Sequence, residues 1–443
     1  MLASRWIPIL GLVVGLHGLA AASGARAPAR VEAGAERHAH DDTLPALTPT
    51  ERLIVASVDA RAQESVGFLA RAVEINSGTG NPIGVRAVGS AFRSKLDALG
   101  LHTRWVELPR GMGRAGHLFA ERPGSRGKRL LLIGHLDTAY EPDHPFQRFA
   151  RQDSFAQGPG VIDAKGGNVV LLYALVALHD AGVLDGAGIT VALTGDEEDP
   201  GVPHAESRAA LVAAARASDV ALAFEPAAEN MGHATPVRLG FSDWTLRVET
   251  PASPGDTASL SQASIDMAAG LIRRFQLDLQ EEYLSIFALG VSPTSARASG
   301  ERGPGSTSRG VVVAGGVRFA SWEQLARVKV RTSTLARASQ EAEAALTFGE
   351  NPYPGMPARP EGFALLDTLS AISVALGAGP VSAGDPYRRG GGDISFVGHI
   401  IPGLDGLGPT GSGAHSAQET VDLRSLTLAT KRAALLIYRL TRE

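Results

Sequence analysis

The stretch Leu131–Tyr140, LLIGHLDTAY, closes an apolar run on an imidazole and a carboxylate two residues apart, His135 and Asp137. Such a triplet is compatible with a metal ligand beside its orienting partner. It is equally compatible with a solvated strand end, because His-x-Asp triplets arise often by chance. The rest of the chain has to decide.

Outward from this stretch, HLFAERPG and RLLLIGH read as neighbouring strands, and a strongly apolar helix runs from Gly166 to about His179. GITVALTG and DVALAFE are two further short apolar runs, with the helical pattern AESRAALVAAARAS between them. Upstream, two amphipathic patterns, Glu51–Ile75 and Ile83–Leu99, are expected to be helices covering one face of a sheet. Strands alternating with helices imply an α/β fold, a mostly parallel sheet with helices on both faces. Ligands in such sheets bind beyond the carboxyl ends of the strands.

The rhythm changes near Val237. DWTLRVET alternates as a half-exposed strand does, SLSQASIDMAAGLIRRF is an amphipathic helix, RGVVVAGGVRFA a strand and SWEQLARVKV a helix. Residues 237–344 are therefore expected to form a small inserted α+β domain, with 50–236 and 345–443 as the two parts of the main domain. The second part carries a helix over Glu361–Leu376, the glycine-rich loop RRGGGDISF and a last helix over Leu423–Leu440.

The 443 residues suit two domains of ordinary size. A charged fraction of 20% and a net charge of -4 leave no electrostatic footprint for nucleic acid. No cysteine is present, so metal ligands must be His, Asp or Glu. Residues 1–24, with Arg5 ahead of an apolar stretch and small residues after it, read as a cleaved signal peptide rather than an anchor, since the run is short and holds His17. That places the protein in the periplasm or outside the cell, with no membrane association after cleavage. Residues 25–49 read as a disordered linker.

Five segments deliver acidic or imidazole groups just beyond predicted strands or in glycine-rich loops. They hold His135 and Asp137 in GHLDT, Asp163 in GPGVIDAKGG, Asp196, Glu197 and Glu198 in LTGDEED, Glu225 in AFEPA and His415 in GSGAHSAQET. Carboxylates gathered at one sheet edge repel one another and lose hydration, so a cation is needed to neutralise them. Histidine and carboxylate ligands without cysteine fit zinc.

These motifs, in this order and with spacings of 28, 35 and 27 residues from His135 through Asp163 and Glu198 to Glu225, resemble the co-catalytic zinc hydrolases that include glutamate carboxypeptidase, aminoacylase and succinyl-diaminopimelate desuccinylase. The resemblance implies two zinc ions: Asp163 bridging them, His135 and Glu225 completing one site, Glu198 and His415 the other. It makes Asp137 the orienter of His135, and Glu197 the base that takes a proton from a zinc-bound water and returns it to the leaving amine. It also implies a cis peptide after Asp163, substrate recognition by the glycine-rich loop through Arg388, Arg389 and Gly391, and a homodimer formed through the small domain.

Two family features are missing. The stretch expected to carry a histidine for the oxyanion reads TPASPGDTAS, Thr250–Ser259, with Ser253 or Pro254 in its place. The asparagine expected ahead of a strand that ends in an arginine has no clear match in GSTSRGVVVAGGVR, whose Arg318 is the candidate for that arginine. The sequence thus supports a zinc-dependent amide hydrolase acting on small peptides or N-acyl amino acids, with an activity that the missing histidine is expected to lower. The alternative is a secreted metal-containing binding protein that kept the fold and zinc but lost turnover.

Overall fold

The computed structural model describes residues 46–250, 262–293, 310–338 and 343–442. The expected signal peptide, nearly all of the linker over 25–49, and Pro251–Ser259 lie outside the described residues.

The first helix spans Pro49–Val73 and starts at Thr48, whose hydroxyl accepts from the Glu51 N–H while the Glu51 carboxylate accepts from the Thr48 N–H. This reciprocal cap satisfies two otherwise orphaned donors. The helix packs with Lys165–Asp180 and Leu423–Leu440 on one face of the central sheet.

The sheet has six strands in the order His102–Val106, His117–Arg122, Ala187–Thr194, Arg126–His135, Val220–Ala223 and Gly403–Leu404. Only His117–Arg122 runs against the rest. Along Arg126–His135 the side chains alternate between two cores. Leu130 and Leu132 join the helices on one side, whereas Leu131 and Ile133 pack with Phe119, Leu211, Met356 and Phe396 on the other. A strand covered on both faces reads as an unbroken apolar run, as LLLI does.

One expected pairing is corrected. HLFAERPG and RLLLIGH are not neighbours, because Ala187–Thr194 lies between them and pairs with both. The turn Pro123–Ser125 has to cross the start of that intervening strand. A Cβ on Gly124 would stand 2.3 Å from the Ala187 carbonyl carbon, so only glycine passes there.

Residues from Gly240 onward build a second, antiparallel sheet in the order Ser285–Pro293, Gly310–Phe319, Gly240–Glu249 and Glu343–Phe348. Gly240–Glu249 alternates buried and exposed as its sequence predicts, with Trp244, Leu246 and Val248 facing a separate core shared with helices Gln262–Asp278 and Trp322–Arg337. The last strand of this sheet spans position 344, so the sheet carries the chain a few residues past the expected return point. Among the described residues no helix is long and apolar enough to cross a membrane.

Candidate metal centre

Three adjacent parallel strands deliver their next residues to one edge. His135 ends its own strand, Glu197 and Glu198 follow Thr194 by three and four residues, and Glu225 lies two beyond Ala223. Asp163 sits in the turn ahead of helix Lys165–Asp180, after which the Asp163–Ala164 peptide is cis. His415 comes from the loop between Gly411–Ser412 and Thr420–Asp422 and has φ of 61°.

Asp163 occupies the middle. Its Oδ1 lies 3.1 Å from His135 Nε2, and its Oδ2 lies 3.2 Å from His415 Nε2. His135 Nε2 is 3.6 Å from Glu225 Oε1, and His415 Nε2 is 3.0 Å from Glu198 Oε2. Two groups of donors result, His135–Asp163–Glu225 and Asp163–Glu198–His415, each with its ligand atoms within 4.8 Å of one another.

The charge balance shows what the group lacks. Burial, and then the neighbouring Asp163, push Glu225 up to about 7. Burial and the Glu225 carboxylate hold Glu197 well above the usual carboxylate range. Asp163 moves the other way: burial opposes it, but hydrogen bonds from His135 and His415 keep its carboxyl low. Hydrogen bonds to Asp163 and Glu198 raise His415 to about 11. Glu198 Oε1 is buried with no hydrogen-bond partner, an orphaned acceptor that calls for a cation. An all-nitrogen-and-oxygen donor set with a carboxylate shared between two groups fits divalent metal.

The supporting contacts are specific. The His135 Nδ1–H is 3.1 Å from the Asp137 carbonyl and 3.4 Å from the Asp137 Oδ1, so Asp137 orients the ring through its backbone more closely than through its carboxylate. That carboxylate instead accepts the N–H groups of Glu197 and Glu198, each at 3.0 Å, and the Thr79 hydroxyl at 2.7 Å.

Of the expected substrate residues, Arg389 lies beside Glu225, donating to the Pro226 carbonyl at 2.9 Å. Arg388 is turned to the surface and pairs with Glu229. Arg318 donates to the carbonyls of Tyr387 and Arg389 and so holds the loop's backbone. The Gly391 carbonyl accepts from Arg238 Nη1 at 2.7 Å, and a Cβ at Gly391 would meet the Tyr353 ring at 2.4 Å.

Several residues escaped the sequence reading. Glu419 accepts from the N–H groups of Gly160, Ile162 and Asp163 and from the Tyr140 hydroxyl, which fixes the Asp163 turn. Its signal was its place four residues after His415. Buried Arg208 bridges Asp196 at 2.6 Å and Asp393 at 2.7 Å, tying the Glu197 turn to the glycine-rich loop. Buried Arg238 pairs with Asp405. Tyr353 places its hydroxyl 3.5 Å from Glu197 Oε1. Nothing local in the sequence marks these last three, each of which has a partner 150 to 200 residues away: Asp393, Asp405 and Glu197.

The chain is similar to known proteins in sequence and in fold. A stretch of 35% identity over 159 residues, 36% of this chain and 37% of the relative, matches Carboxypeptidase G2 of Pseudomonas sp. (strain RS-16). The chain thus aligns with little more than a third of that relative's length. Among solved structures, a tripeptidase from Staphylococcus aureus superposes with a TM-score of 0.65 at 20% identity, covering 86% of this chain and 99% of that one. A dinuclear metal-binding peptidase of the M20 family from Bacillus subtilis gives 0.61 at 14% identity, covering 86% and 98%. Residues 131–439 match the model of Peptidase family M20/M25/M40, and with most of the chain inside that match, the protein belongs to this family.

Proposed function

We propose that the protein is a zinc-dependent hydrolase of amide bonds in small peptides or N-acyl amino acids, holding two zinc ions. His135, Asp163 and Glu225 would hold one and Asp163, Glu198 and His415 the other. The observation that carries the reading is Asp163, which turns one oxygen to each histidine. When bound, the metal pair supplies positive charge that neutralises the acidic cluster and polarises the attacking water and the scissile carbonyl.

The chain's own residues do the rest. Glu197 belongs to neither donor group, and its raised proton affinity suits it to take a proton from water and pass it to the leaving nitrogen. Asp137 holds the Glu197 backbone in place. Arg389, beside Glu225, is the arginine best placed for a substrate carboxylate. Family membership and the likeness to Carboxypeptidase G2 and to the tripeptidase support a small-peptide substrate. Export by the segment over 1–24, an inserted domain over 237–344 and homodimer formation belong to the same proposal.

The test is to load purified protein with zinc, measure metal by elemental analysis, and follow amino acid release from a panel of dipeptides and N-acyl amino acids. About two zinc ions per chain with turnover of at least one class is the expected result. Metal without turnover on any of them would favour the binding-protein reading, and no metal would remove both.

A further inference from the structure

We propose that the Tyr353 phenol is a catalytic residue of this hydrolase, donating the hydrogen bond that stabilises the oxyanion formed when water attacks the amide. The assignment rests on the hydrolase reading above and names a group for which that reading has no residue.

Its position is the first argument. The Tyr353 hydroxyl stands 3.5 Å from Glu197 Oε1, at the outer limit of hydrogen bonding. The oxyanion is borne by the same carbon that the water attacks, and the water is held by Glu197. A donor beside Glu197 is therefore within reach of that oxygen, and its present bond is weak enough to be exchanged for a stronger one to developing charge.

Rigidity is the second. The Tyr353 ring packs edge-on against Phe396 at 4.8 Å and His204 at 5.9 Å, and lies on Gly391, where a Cβ would collide with it. Its backbone exchanges two hydrogen bonds with Phe241, at 2.8 and 2.9 Å. A donor fixed in this way needs no reorganisation as charge develops. Burial, and then the Glu197 charge, keep the phenol protonated, so it acts as a donor.

Other donors of the site already have partners or roles. The chain has no histidine between His233 and His399, so the whole inserted region offers no imidazole. Arg208 is engaged by Asp196 and Asp393, and Arg389, at the Pro226 carbonyl, is assigned to the substrate carboxylate. Arg238 is engaged by Asp405, Gly390 and Gly391 through Nε and Nη1, and only its Nη2 is buried without a partner.

The step balances without further reagents. The water oxygen bonds to the carbonyl carbon, the C=O π pair moves onto oxygen and accepts the Tyr353 hydrogen bond, and Glu197 takes the water proton. The C–N bond then breaks, the C=O bond re-forms, and the proton passes from Glu197 to the leaving nitrogen. Tyr353 keeps its proton throughout.

The experiment uses Tyr353→Phe in the full, zinc-loaded chain, with a phosphinic pseudodipeptide as a stable mimic of the tetrahedral anion. The expected result is metal content and melting temperature at the parent level, KM within about twofold, and kcat down about a hundredfold or more. Phosphinate Kd by calorimetry should rise by a comparable factor while affinity for the product amino acid holds. The same loss of phosphinate affinity should appear when Tyr353→Phe is made on top of Glu197→Gln; if it vanishes there, the phenol acts only by positioning Glu197 and the assignment is wrong. Parent-like phosphinate binding and kcat in Tyr353→Phe would overturn the assignment alone. A parent protein that binds no phosphinate would overturn the hydrolase reading, and this assignment with it.

Discussion

The backbone N–H of Glu197 donates to Asp137 Oδ1 at 3.0 Å, joining the turn that carries the proposed base to the strand end that carries His135. Asp137 is buried, and its second oxygen takes the Glu198 N–H and the Thr79 hydroxyl. One residue thus touches Glu197 and members of both donor groups, Glu198 through its carboxylate and His135 through its carbonyl.

Asp137→Asn keeps the shape but replaces one acceptor oxygen with an amide donor that faces an N–H. Zinc affinity should fall about 10- to 100-fold, as for other outer-shell partners. Competition against a chelator of known affinity measures this, and an unchanged zinc Kd would contradict it.

Glu197→Gln removes the base while leaving Glu198 and its contacts in place. Metal content should stay at the parent level while kcat falls by at least a hundredfold. Equal loss of both would place Glu197 among the ligands instead.

Arg208 lies fully buried between Asp196 and Asp393. Arg208→Met strands two buried carboxylates and should lower unfolding stability by about 3–5 kcal/mol. The urea midpoint reads the effect. Asp196→Asn combined with Arg208→Met should recover part of it.

The metal-free protein should lose stability as pH rises. Glu225 titrates at about 7 in the folded chain and near 4.3 when unfolded, so between these values the folded state holds a proton that the unfolded state has released. Rising pH then favours unfolding, by up to about 4 kcal/mol once pH passes 7. The contribution of His415, raised to about 11, is fully present below about 6.5 and is lost as pH rises through 11, which adds to the decline above neutrality. The proposed zinc ions would take the place of these protons, so the gap in melting temperature between loaded and metal-free protein should widen from pH 5 to pH 8. Calorimetry showing a constant gap would refute this.

The centre was legible because its ligands follow strands whose apolar runs are plain in the sequence. LLLI, ITVALT and VALA each end a few residues before His135, Glu198 or Glu225, and a parallel sheet brings such ends together. Apolar pattern does not encode strand order, so the insertion of Ala187–Thr194 between two strands joined by a three-residue turn was not readable. Nor were Arg208, Arg238 and Tyr353. Each is defined by a partner far along the chain: Asp393, Asp405 and Glu197. Glu419 had only its place four residues after His415 to mark it, and its work, on the Asp163 backbone, has no side-chain pattern of its own.

The crossing at Gly124 also bears on the order in which the molecule assembles. Strand His117–Arg122 pairs with His102–Val106 and with Ala187–Thr194, so one of its flanks stays open until some 70 further residues have left the ribosome. The earliest-made hairpin thus waits for a strand made well after it, and until then its edge is exposed to other nascent chains. Substitutions that weaken Ala187–Thr194 should therefore reduce the yield of soluble protein more than their effect on the finished fold would suggest.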